Sequence, residues 1–105
     1  MQPAPAKPRT EIDRAPKRKL EAKDRKNGGK GRAKVRFRFS SPAPGAGFEC
    51  SLRPRRKQPR FKDCESPASY ELAPGKYRFA VRAVVAGGRD PSPETFSFRV
   101  VRKKL

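Results

Sequence analysis

Residues 34–40, KVRFRFS, alternate apolar and charged side chains with a period of two: Val35, Phe37 and Phe39 fall on one side, Lys34, Arg36 and Arg38 on the other. Such alternation is what a β-strand with one buried and one wet face requires. The same period recurs in GFECSL (47–52), which turns Phe48, Cys50 and Leu52 inward. It recurs again in KYRFAVRA (76–83), with Tyr77, Phe79, Val81 and Ala83, and in TFSFRV (95–100), with Phe96, Phe98 and Val100. Between these runs stand SSPAPGAG, RPRRKQP, APG and GGRDPSP, all Gly/Pro turn signals. No stretch long enough for a crossover helix separates the strands, so the pattern predicts an all-β sandwich.

The core is expected in the C-terminal two-thirds, because all 7 Phe and both Tyr lie beyond residue 33 of the 105. A chain of this length holds one domain. Residues 1–9, MQPAPAKPR, read as a disordered Pro/Ala-rich tail, and residues 102–105 as a basic C-terminal tail. Between residues 10 and 32 the chain is polar and basic. There RKLEAKDRK (18–26) is the only stretch that could be helical, and NGGKG (27–31) reads as a turn. With 28 Lys+Arg against 10 Asp+Glu the formal charge is +18, which attracts any anionic surface. Cations on the wet face of a strand also have a simpler role, since they keep a sheet soluble and discourage edge pairing. No apolar run is long enough for a membrane span. The opening residues carry no apolar segment of the kind a signal peptide has, so the expectation is either a protein that stays inside the cell or a piece of, or a mis-started stretch within, a longer exported chain.

Catalytic and metal chemistry find little to work with. Two cysteines and no histidine fall short of the four ligands of a structural zinc site, and a catalytic thiol would have no imidazole base. NGGKGRAK lacks the spacing and the Ser/Thr of a phosphate-binding loop. The carboxylates form no paired-acid motif, and Asp90, ahead of Pro91, reads as a turn residue. The expectation is a protein that is not an enzyme and has no metal or cofactor.

Taken in order, the motifs TEI (10–12), FRFSS (37–41), FECSL (48–52), FKDCESP (61–67), LAPGKYRFAVRA (72–83) and DPSPETFSFRV (90–100) resemble a known family. It is that of the short Ig-like repeats of bacterial surface and secreted proteins. The resemblance covers residues 10–101 and implies an Ig-like antiparallel β-sandwich of about seven strands, with a short disordered basic N-terminal tail. TEID then becomes a first edge strand. The chain departs from the family pattern in three places. Arg53, Pro54, Arg55, Arg56 and Lys57 replace an Asp-Gly tip, Lys76 and Tyr77 stand where a His is usual, and Val84 and Val85 replace Thr-Asp. Ligand or ion contacts that would need acidic loop residues are therefore not expected here.

Cys50 and Cys64 occupy the positions of the family's cysteine pair. Two cysteines flanking a β-turn can reach disulfide geometry, which implies an oxidising compartment and an extracellular or cell-surface location. The loop they enclose carries the candidate anion-binding residues Arg53, Arg55, Arg56, Lys57, Arg60 and Lys62. Arginine forks suit phosphate and carboxylate, so the expected partner is an anionic cell-wall polymer or an acidic glycan, held by one module of a larger chain or by a monomer. The competing expectation is a small basic nucleic-acid-binding protein, with basic arms at 17–32 and 102–104 and aromatic rings as stacking platforms. That design requires exposed rings. Without them, nucleic acid would be held only non-specifically at low salt.

Overall fold

The computed structural model describes residues 8–24 and 31–103. Among them nine strands form in chain order: β1 (Glu11–Arg14), β2 (Lys19–Lys23), β3 (Ala33–Ser40), β4 (Gly47–Pro54), β5 (Lys62–Cys64), β6 (Ala68–Leu72), β7 (Gly75–Val85), β8 (Gly88–Arg89) and β9 (Glu94–Lys103). They make two sheets, one of three strands in the order β1-β3-β6 and one of six in the order β2-β9-β7-β4-β5, with β8 paired to β7. The all-β sandwich is thus observed. Its strand count exceeds seven because the first strand is divided between the sheets and because β5 and β8 are fragments of three and two residues.

The alternation read from the sequence decides the faces. β3 is buried at Ala33, Val35, Phe37 and Phe39 and exposed at every residue between. Phe37 lies against Phe79 of the opposite sheet, with ring centroids 3.9 Å apart and planes 8° from parallel. Tyr70, Phe96 and Phe98 pack around Phe37 within 6.4 Å. Phe39 meets Phe48 edge to face at 4.9 Å. Phe37, Phe79 and Phe98 are all 0% exposed.

All but one of the strand pairings are antiparallel. β2 runs parallel to β9, in register from Lys19 opposite Arg99 to Lys23 opposite Lys103. This corrects the reading of RKLEAKDRK as the stretch that could be helical. Leu20 faces inward and Ala22 is 0% exposed, so the segment has a period-two face after all, although it is only two residues deep. The free edge of β9 supplies the ladder, with flanking bonds from Arg99 N to Arg18 O (2.8 Å) and Asp24 N to Lys103 O (3.1 Å). Tertiary pairing here overrides a local helix preference. It also extends the ordered sheet to Lys103, past the boundary at residue 101 expected from the sequence. Residues 1–7, 25–30 and 104–105 lie outside the described residues, and with them most of the expected N-terminal tail and of the NGGKG turn.

TEID behaves as expected of a first strand, with Glu11 opposite Ser40 and Ile12 opposite Phe39. Its anchor is polar. The buried Thr10 hydroxyl donates to Asp90 Oδ2 (2.6 Å) and accepts from Ala83 N (2.8 Å). Asp90 is a turn residue, as the sequence indicated, accepting from Ser92 N at 2.8 Å. It also holds the chain entrance onto β7. At the other end of the domain the Tyr77 hydroxyl donates to Ala73 O at 2.7 Å and closes the corner between β6 and β7.

Two substitutions test this packing. Phe37→Ala is expected to cost about 3–5 kcal/mol, as for a fully buried ring with partners on both sheets, read from denaturant unfolding. Gly31 rests against the backbone of Lys23, where an added Cβ would collide with the Lys23 carbonyl. Gly31→Ala is therefore expected to loosen β2, seen as faster amide exchange at residues 19–23 than in the wild-type chain.

Candidate anion-binding surface

The β4–β5 hairpin is built on a ladder of three pairs, Phe48 with Cys64, Glu49 with Asp63 and Cys50 with Lys62. Cys50 and Cys64 are diagonal neighbours on its inward side and form a disulfide across a Cα separation of 5.7 Å. β4 continues to Pro54 along β7, while the returning chain leaves the ladder at once. The long excursion is tied by few bonds: Arg60 N to Ser51 Oγ (2.8 Å), Lys57 N to Pro54 O (2.9 Å) and Arg55 N to Lys76 O (3.2 Å). Ser51 is buried at 3% exposure, which makes its hydroxyl a fixed acceptor for the loop. This role is not legible in the sequence, because Ser51 sits in an ordinary outward position of the alternation.

The six candidate cations do not converge on one point. Arg56 and Lys57 project from the turn and are exposed. Arg55 follows the end of β4 and is half-buried, its Nε donating to Tyr77 O at 3.4 Å. Arg53 stands opposite Arg78 of β7. Arg53, Arg60 and Lys62 line an open groove of about 530 Å³ beside the β5 and β6 edges, together with Tyr70 and Leu72. Asp63 and Glu71 line the same groove and moderate its charge. Among the described residues, none of the six cations forms an ion pair with a carboxylate.

Such pairs do exist elsewhere. Glu49 receives Arg82 at 2.8 Å and Arg89 at 3.3 Å, Asp24 receives Arg102 at 3.0 Å, and Glu21 receives Lys103 at 3.3 Å. Arg102 and Lys103, expected as part of a basic tail, thus belong to a strand and are neutralised by β2 and its flank. None of the nine aromatic rings is exposed. The Arg82 guanidinium covers Phe61 at 3.9 Å, and that of Arg18 covers Phe96 at 4.6 Å. Among the described residues no group of three or more His, Cys, Asp or Glu could hold a metal ion, and no helix is long and apolar enough to cross a membrane.

The disulfide closes a loop with a sequence separation of 14, a length for which the lost unfolded-chain entropy contributes about 3 kcal/mol. Cys50→Ser with Cys64→Ser is expected to lower stability by about that amount. Reduction of the native chain should add about two mass units for the two hydrogens gained. Burial raises the pKa of the Tyr70 phenol above its ordinary value. The folded state therefore favours the neutral phenol, a contribution present below the ordinary value of about 10 and lost as pH rises through the higher folded value. Thermal melts of Tyr70→Phe should show less alkaline destabilisation above pH ~10 than those of the wild-type chain.

No family model matches the chain, and no curated protein is detectably similar to it.

Proposed function

We propose that the chain is a non-catalytic Ig-like module of a bacterial envelope or secreted protein, serving as a spacer or adhesion unit that holds anionic polymers through its basic β4–β5 hairpin. The carrying observation is that this hairpin is stapled by a disulfide while its six cations have no carboxylate partner among the described residues. A rigid base with an uncompensated, arginine-rich loop suits recognition of repeated phosphate or carboxylate groups.

Support for the Ig-like plan comes from three features. The first strand is divided into β1 and β2, one in each sheet, and β2 lies parallel to the last strand. The Tyr77 hydroxyl bonds back to Ala73 O near the start of β7, in the manner of a tyrosine corner. The motifs that carry the sequence resemblance fall on strands, with FRFSS beginning in β3 and FECSL lying within β4. An extracellular setting is supported by the disulfide.

The alternative, a small basic nucleic-acid-binding protein, has weaker support. Stacking onto bases requires ring faces in solvent, and here the rings are spent on the core or lie under arginines.

The test is binding of the oxidised domain to teichoic acid, an acidic glycan and duplex DNA at two salt concentrations, beside a variant with Arg53, Arg55, Arg56 and Lys57 changed to serine. Selective binding to the first two that survives the higher salt and is lost in the variant is the expected result. Equal binding to all three, erased by salt, would reduce the module to a basic spacer.

A further inference from the structure

The outer face of the six-stranded sheet carries a second concentration of charge, on strand positions whose cations have solvation as their simplest role. Register places Lys19 of β2 beside Arg99 of β9, and Arg99 beside Lys76 of β7. The Lys76 carbonyl accepts from the backbone of Arg55, so the row continues to the end of β4. A second row, one pleat along, sets Arg78 of β7 between Ser97 of β9 and Arg53 of β4. Strands lie about 4.8 Å apart and same-face residues about 6.7 Å apart along a strand. The six cations therefore tile one continuous area, with Lys19, Lys76, Arg78 and Arg99 exposed and Arg53 and Arg55 half-buried.

Three observations separate this area from the general basicity of the chain. Like charges placed directly opposite one another weaken a sheet, and no carboxylate among the described residues pairs with any of the six. Edge protection does not account for Lys76, Arg78 and Arg99, because β7 and β9 are interior strands. The acids are also displaced. Glu11, Glu49, Asp90 and Glu94 lie toward the opposite end of the sandwich, with Glu49 already occupied by Arg82 and Arg89, while Glu21, which shares the outer face of β2 with Lys19, is engaged by Lys103. By contrast, the cationic stripe Lys34, Arg36 and Arg38 on the three-stranded sheet has Glu71 in register with Lys34 and Glu11 at the neighbouring Ser40.

We infer that this face, rather than the hairpin tip alone, is the docking surface for a flexible, base-free polyanion, a chain bearing single phosphate or carboxylate groups at regular intervals. Arg55 at the hairpin base joins the two regions, so the polymer lies across β2, β9, β7 and the end of β4 and passes onto the turn. Bases would gain little here, since the six cations are flanked by no aromatic side chain in their rows and Phe61, farther along the face, lies under Arg82. The inference rests on the reading of the chain as an anionic-polymer module.

Three triple-serine variants, each removing three charges, test it on the oxidised full chain: Lys76, Arg78 and Arg99 on the face; Arg56, Lys57 and Arg60 at the tip; and Lys34, Arg36 and Arg38 on the opposite sheet. Probes are poly(glycerol phosphate), polygalacturonate and an oligothymidylate of equal charge number, titrated over a range of salt, with melting curves to show that each variant is folded. The face variant should lose about tenfold or more in affinity for a base-free polymer, and its log–log salt slope should fall by about 2, while the opposite-sheet variant changes little. Whichever of the two base-free polymers binds more tightly identifies the anionic group. Equal losses in all three variants, or a loss confined to the tip variant, would overturn the face and leave the module reading standing. Tighter binding of the oligothymidylate would overturn the partner class. Failure of the wild-type chain to bind any probe at physiological salt would overturn both.

Discussion

The contact between Phe37 and Phe79 fixes the relation of the two sheets, because it is the place where alternation in one strand meets alternation in another across the core. Once those rings are stacked, the parity of every position in β3 and β7 follows. Phe39 then falls against Phe48, Tyr77 against Phe98, and the intervening arginines and lysines turn to water on both outer faces. The charge of the chain is thereby sorted without any further instruction. A slip of one residue in either strand would bring arginines into the core and phenylalanines onto the surface, so the high charge enforces the register it depends on.

How far the sequence anticipated this depended on how many residues carried each signal. β3, β4, β7 and β9 each offered three or more alternating apolar residues, and their inward faces are found as read. β2 offered only Leu20 and Ala22, too few to be distinguished from a helical turn, and its structure comes from the free edge of β9, a partner about eighty positions away in the chain. The Cys50–Cys64 bond was legible because the cysteines are the only two and flank a single turn region. The bond from Thr10 to Asp90 was not, since a threonine and an aspartate at that separation carry no pattern.

The candidate site divides in the same way. The hairpin cations were conspicuous because they cluster in the chain. Those of the outer face are spread over residues 19, 53, 55, 76, 78 and 99, and become neighbours only through strand order and register. Each of them is ordinary by itself. Their significance lies in what is missing around them, the acids having been drawn toward the Asp90 end and into pairs with Arg82, Arg89, Arg102 and Lys103.

The parallel β2–β9 ladder also gives the domain a mechanical character. The described chain enters beside Asp90, runs down β1 and β2, and leaves at Lys103 at the far end of the sandwich. A pull between these two points draws β2 one way and β9 the other along their common axis. The hydrogen bonds joining them are then strained together in shear instead of opening one after another from an end. Tension borne through this domain is thus met first by a cooperative clasp, and the stacked core behind it stays unloaded until that clasp gives way.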